Sequence, residues 1–153
     1  LNAGFVPQDP AWEAKVRDSF ARQPAMATIG ARLERVAPGH VDVAVDFDER
    51  ISQQHGYVHG GVVGMIADSA GGYAGFTMMP AGATVLTVEY KMNLLAPAHG
   101  AAIVAKGRVL KPGRTLVIAQ VDVFAFRDGH PHLCATMLQT LMTMAGRPDA
   151  KRP

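Results

Sequence analysis

From Gly60 to about Met78 runs the one stretch of this chain that is both apolar and long enough for a substantial helix. Almost everything else that is patterned alternates with period two. This imbalance is the strongest constraint on the fold. Alternation marks Ala31 to Val36, and then Val41, Val43, Val45 and Phe47, with Pro38-Gly39 as the turn between them. Four strand-like stretches follow the helix: Thr84 to Leu95, Ala101 to Leu110, Thr115 to Phe126 and His132 to Met144. Their separators are Pro97-Ala98-His99-Gly100, Lys111-Pro112-Gly113 and Arg127-Asp128-Gly129-His130, all turn chemistry. A shorter helix is expected to start at Pro10 behind an Asp9 cap and to end near Arg22, before Pro24. A sheet of about six strands needs cover for its apolar face, and one helix is available to supply it. The expected architecture is α+β, an antiparallel sheet wrapped around a long central helix. The edges of such a sheet stay open and invite pairing with a second copy.

Composition narrows the class. The 153 residues fit one domain, with a helix over about 10–22, a core over about 25–144 and a tail expected to fray from Gly146. Apolar residues at 48% and charged residues at 18% are ordinary for a soluble globular protein. A net charge of +2 argues against a broad nucleic-acid-binding face. The most apolar window, Val58 to Met79, contains His59, Asp68 and several glycines, which rules against a membrane span. No basic-then-apolar signal pattern opens the chain, so a cytoplasmic protein is expected. Cys134 is the single cysteine, which excludes an internal disulfide and fits a reducing compartment. Its apolar strand setting points to packing rather than to a reactive thiol.

The helix itself is unusual. At 3.6 residues per turn Gly64, Asp68, Gly71 and Gly75 share one stripe. Each glycine costs about 0.8–1.0 kcal/mol of helix propensity against alanine. Such a stripe implies close approach by another backbone or a ligand, or a seam against a neighbouring helix. Asp68 on that stripe favours the ligand, because a buried carboxylate needs a partner or a function.

At the helix start stands His59-Gly60-Gly61. Unpaired amides at a helix N-terminus attract developing negative charge, and Gly60 has no side chain to obstruct a carbonyl. That is oxyanion-hole chemistry. Yet the eight residues from Gly60 to Asp68 span roughly 12 Å of helix. One carbonyl cannot lie about 3 Å from both. Either one element alone is catalytic, or Gly60 of one chain works with Asp68 of another across a symmetric interface. His59 then makes a structural hydrogen bond, since Asp68 already supplies a base. No metal is indicated, because no carboxylate or cysteine sits at a ligand spacing from His55 and His59. His130 and His132 flank Pro131 and are expected to be solvated in a turn. There is no Gly-x-Ser-x-Gly elbow, phosphate-cradling loop or dinucleotide fingerprint, and no cofactor is expected.

Gln53-x-x-Gly56-x-x-His59-Gly60-Gly61 with Asp68 nine residues after the histidine resembles the hotdog-fold acyl-CoA thioesterases of the PaaI-like family. So does the run Thr87-Val88-Glu89-Tyr90 to Asn93-Leu94-Leu95-Ala96-Pro97; the resemblance extends over about Ala25 to Met144. It implies that Asp68 activates water or attacks the thioester, and that the Gly60 N–H polarises the carbonyl. Gln53 stands where many members have asparagine, keeping the amide on a longer arm, and His59 would orient that amide and its loop. Thr87 would hold the lytic water. Gly61 and Ser69, beside the two catalytic positions, would line the substrate site. Lys106, Arg108 and Arg114 would meet the phosphates of CoA; on residue type alone they read equally as a solvated edge. The methionines, Met65, Met78 and Met79 among them, read as core filling more than as an acyl pocket. The family builds its sites between subunits, implying a homodimer and a homotetramer formed as a dimer of dimers.

The expected activity is hydrolysis of an acyl- or aryl-CoA thioester to free acid and CoA, with no nucleic-acid or membrane partner. A non-catalytic acyl-CoA-binding module is the alternative, but it has no need of a carboxylate beside a thioester. Acyl-thioester hydratase or dehydratase chemistry is a further one, and only His59 hints at it.

Overall fold

The computed structural model describes residues 4–147 and Asp149. Two helices, α1 (Trp12–Ala21) and α2 (Pro24–Thr28), precede strands β1 (Arg32–Ala37) and β2 (His40–Asp46). A short 3-10 turn (Glu49–Ile51) and an irregular loop lead into α3 (Gly60–Phe76). Strands β3 (Thr84–Leu94), β4 (Ala102–Lys111), β5 (Leu116–Arg127) and β6 (His130–Met144) complete one six-stranded sheet in the order β1-β2-β4-β5-β6-β3. Every pairing is antiparallel. The helix packs on all of strands β2 to β6, so the expected sheet around a central helix is the observed one.

Strand alternation sets which face meets the helix. On β5, Val117, Ala119, Val121, Val123 and Ala125 are buried, and their neighbours along the strand are less so. Gly107, in the middle of β4, lies against the Ala70 carbonyl, where a Cβ would overlap the helix backbone. The glycine here is a matter of space, not of backbone angle. The glycines of α3 act likewise toward the sheet: Gly71 faces Gln139 and Val121, Gly75 faces Leu141, and Gly64 faces Met92. The stripe is therefore filled by sheet side chains, not by a neighbouring helix or a ligand.

Four local expectations are corrected. The first helix begins at Trp12 rather than Pro10, with Ala11 and not Asp9 at its N-cap, because the Asp9 carboxylate takes the Ala11 N–H in the turn before it. Pro24 does not only end α1; it opens α2 at the first helical position, where its missing N–H costs nothing. The long helix stops at Phe76, two residues earlier than expected, with Thr77 as its C-cap. There the Thr77 hydroxyl donates to the Ala74 carbonyl and accepts the Gly39 N–H. His130 and His132 lie in β6, not in a turn, although both are exposed. Asp128 and Gly129, with φ of 51° and 78°, form a two-residue hairpin of the kind that matches strand twist. The strand therefore resumes at once.

The tail from Gly146 falls partly on residues 148 and 150–153, which lie outside the described residues. Asp149 is described: its carboxylate takes hydrogen bonds from Arg22 and Thr84.

The two sheet edges differ. β1 carries Arg32, Glu34 and Arg35 and a bulge between Leu33 and Arg35, which protects it from pairing. β3 presents Leu86, Val88, Tyr90 and Leu94, each between 49% and 59% exposed. An apolar edge of that length calls for a partner.

Candidate active site

Asp68 stands in the third turn of α3, facing β3 and β6, and is half-buried. Its Oδ1 accepts the Thr87 hydroxyl at 2.8 Å and an N–H of the Gln139 side-chain amide. That amide also donates to the Thr87 Oγ1 at 3.1 Å and to the Asp68 carbonyl at 3.2 Å. Oδ2 has no hydrogen-bond partner among the described residues and is not fully buried, and Asp68 lines the larger cavity of the chain. Burial raises the Asp68 pKa, while the hydrogen bonds from Thr87 and Gln139 pull it back down. No nearby charge takes part.

A β-bulge brings Thr87 to this carboxylate. Thr87 and Met92 are five apart, so plain alternation would send them to opposite faces. The register of β3 against β6 shifts between Thr87 and Glu89, and the extra residue corrects the parity. Val85 and Thr87 before the bulge, and Met92 and Leu94 after it, all lie toward α3.

Asp68, Ser69 and Thr87 line a cavity of about 840 Å³, walled on the far side by Met26 of α2. Met65 lines the same space, so this methionine faces the cavity rather than the core, whereas Met78 and Met79 are buried. The Tyr73 hydroxyl also borders it, accepting from Gln23 at 2.7 Å and bonded to Ser19 at 3.1 Å.

Gly60 and Gln53 line a different cavity, of about 450 Å³, together with Leu94 and Cys134. His59 is the N-cap of α3. Its Nδ1 accepts the Gly61 N–H at 2.9 Å, and its carbonyl accepts the N–H groups of Val62 and Val63. The Gly60 N–H alone in this first turn has no acceptor among the described residues. The His59 ring thus caps the helix and leaves one donor free; it makes no hydrogen bond to the Gln53 amide that it was expected to orient, among the described residues. The Gln53 Oε1 accepts the His55 N–H, and its backbone bonds with Tyr57 and Gly56 hold the loop before the helix. Cys134 is buried, burial pushes its thiol pKa up, and its Sγ donates to the Val123 carbonyl.

One chain therefore keeps the Asp68 group and the Gly60 group in separate cavities. Lys106 and Arg108 lie on the sheet face away from the helix, and Arg114 is exposed in the β4–β5 turn; none of the three lines either cavity. Arg108 is held by Asp122 at 3.0 Å and by Gln120, and the Lys106 amine sits 5.5 Å from the Phe124 ring centre. No cluster of three metal-ligating side chains exists among the described residues. Sequence reasoning missed Gln139. The available signal was a polar residue at an inward position of β6, between Met137 and Leu141.

Known proteins bear on this arrangement. A sequence profile of the Thioesterase superfamily matches residues 55–131. The Saccharolobus solfataricus protein named "Putative esterase SSO1253" is 32% identical over 127 residues, which cover 83% of this chain and 82% of that protein. The crystal structure of a thioesterase family protein from Silicibacter pomeroyi superposes with a TM-score of 0.87 at 50% identity, covering 88% of this chain and 99% of the other. The E. coli PaaI protein superposes with a TM-score of 0.79 at 14% identity, over 92% of this chain and 99% of its own, a likeness of fold. With a six-stranded antiparallel sheet around one long helix, and half of its length matched by the superfamily profile, this chain belongs to the Thioesterase superfamily and has the hotdog fold.

Proposed function

We propose that the protein hydrolyses an acyl- or aryl-CoA thioester to the free acid and CoA, with Asp68 as its base. The observation that supports this is the carboxylate itself. One oxygen is fastened by Thr87 and Gln139, the other has no partner among the described residues, and Asp68 lines a cavity large enough for an acyl group. A half-buried aspartate of raised pKa is more basic than an exposed one, which suits proton abstraction from water. Water gives its proton to Oδ2 and its oxygen to the thioester carbon. The oxyanion so formed is met by the free Gly60 N–H of a second copy, the C–S bond breaks, and the CoA thiolate takes up a proton.

The second copy is part of the reading. Apolar β3 edges paired about a two-fold axis bury Leu86, Val88 and Tyr90 and lay the Gly60 end of one α3 beside the middle of the other. Dimers of this kind can associate further into a tetramer. Toward the CoA phosphates the charges of Lys106 and Arg114 are available, as neither has an ion-pair partner among the described residues; Asp122 already compensates Arg108.

The test is release of free thiol from acetyl-, hexanoyl-, palmitoyl- and benzoyl-CoA, with the acid product quantified. Stoichiometric acid and CoA from at least one of them is the expected result. Saturable binding without turnover would make the protein a binding module. Hydration of an enoyl-CoA with no CoA released would assign it to the hydratase class.

A further inference from the structure

Gln139 is completely buried at the centre of β6, yet it lines neither cavity and cannot touch substrate. Its amide nitrogen is spent on Asp68 and on the Thr87 hydroxyl that holds the same carboxylate. Nε2 faces three oxygens: Oδ1 and the carbonyl of Asp68, and Oγ1 of Thr87. On the other side Oε1 is buried with no partner, in the hollow that Gly71 leaves by having no side chain. An interior seldom keeps an orphaned carbonyl oxygen. Here the orphan is the consequence of pointing the nitrogen at the carboxylate. Rotating the amide would pair nothing better, because it would set Oε1 against the carboxylate and carbonyl oxygens of Asp68 and leave the nitrogen without an acceptor beside Gly71.

We propose that Gln139 is a positioning residue that keeps Asp68 ionised inside the fold and turns Oδ2, not Oδ1, toward the cavity. The inference rests on Asp68 being the base. An amide suits the task because it donates to a carboxylate without bringing a charge. A lysine or arginine in its place would neutralise the base it holds. The other titratable groups packed on or near α3 do not perform this task. Tyr73 bonds to Ser19 and Gln23, Arg22 pairs with Asp149, Lys15 pairs with Asp9, and Cys134 faces the second cavity. Asp68 is shifted by burial, by Thr87 and by Gln139, and by no charge. Gly71 has its reason in the same device, since a Cβ there would displace the amide.

The experiment compares wild type with Gln139→Met, which keeps the length and loses the donor. The pKa of Asp68 is read directly from the carboxyl carbon of ¹³C-labelled aspartate, its resonance assigned by its loss in Asp68→Asn. The pH profile of kcat/KM is measured alongside, on whichever CoA thioester of the panel is turned over. The expected result is a rise of about one to two pH units in the Asp68 titration and in the acid limb, as a lost charge-assisted hydrogen bond requires. KM at the pH optimum should stay within about twofold, uniform binding being untouched. An unmoved Asp68 titration in a folded variant overturns the proposal, whatever the activity. If Gln139→Met does not fold, Gln139→Glu replaces it: two carboxyl groups sharing one proton must raise the limb, and an unchanged limb is again fatal. Wild-type turnover by Asp68→Asn would instead remove the base itself. That result is distinguishable, because it leaves the Gln139→Met titration uninterpreted as catalysis but still readable as a shift of Asp68.

Discussion

Thr87 reaches Asp68 only because β3 is bulged: its hydroxyl donates to Oδ1 at 2.8 Å from the same face of the strand as Met92, five positions on, where plain alternation would put the two on opposite faces. The carboxylate is thus gripped from two neighbouring strands, by Thr87 on β3 and Gln139 on β6. That grip, and the separation of Asp68 from Gly60, let each group be tested on its own.

Asp68→Asn keeps the shape and can still accept the Thr87 hydroxyl, but it has no base. Turnover should fall by roughly 10²–10⁴-fold or more. Steady-state hydrolysis by the purified, folded variant is the measurement, and near wild-type rates would remove Asp68 from the chemistry.

The same variant should be at least as stable as wild type at neutral pH. The folded-state pKa of Asp68 is raised above its unfolded value, so the ionised side chain opposes folding at high pH. That penalty is complete above the folded pKa. It shrinks as pH falls through it, and it vanishes below the ordinary aspartate range. Thermal melts from pH 7 down to pH 3 should therefore show a gap in Tm that favours the Asp68→Asn variant and closes on acidification. A gap that widens on acidification would contradict the sign.

Gly60→Val places a Cβ 3.1 Å from the tip of Leu94, which can swing aside, and adds a branched side chain beside the free N–H. Loss of one such donor costs about 2.7–4 kcal/mol in the transition state. The chemical step should slow by roughly two to three orders of magnitude, with no comparable drop in Tm. Single-turnover kinetics and calorimetry on one sample separate the two effects.

Mixed dimers should recover activity that neither parent has. An Asp68→Asn chain combined with a Gly60→Val chain leaves one of the two shared sites with both intact groups. Subunit exchange, verified by a tag on one parent, should restore a fraction of wild-type turnover. Exchange without recovery would place the whole reaction within one chain.

Gly71→Ala should destabilise, although alanine is the better helix former by about 1 kcal/mol. The added methyl would occupy the place of the Gln139 amide and press on Val121. Overpacking of this kind costs typically about 1–3 kcal/mol. Chemical denaturation should show a lower midpoint at an unchanged slope.

The one long apolar helix and the six alternating stretches were visible in the sequence, because periods of 3.6 and two are local properties. From them came the helix inside a sheet, and from His59-Gly60-Gly61 and Asp68 came the two ends of a candidate site. Helical spacing alone showed that those ends cannot serve one carbonyl within one chain. Short-range chemistry hid only small things, such as the helix that Pro24 opens and the immediate restart of the strand at His130. The tertiary structure decided the rest. Alternation predicts that Thr87 and Met92 lie on opposite faces; only the pairing of β3 with β6 shows the bulge that reverses this. The glycines of α3 suggested a ligand or a second helix, and the side chains that fill them come from β3, β5 and β6, far along the chain. Gln139 is 71 residues from the carboxylate it holds. No local pattern can register a partner that distant, since the contact exists only once the sheet has closed around the helix.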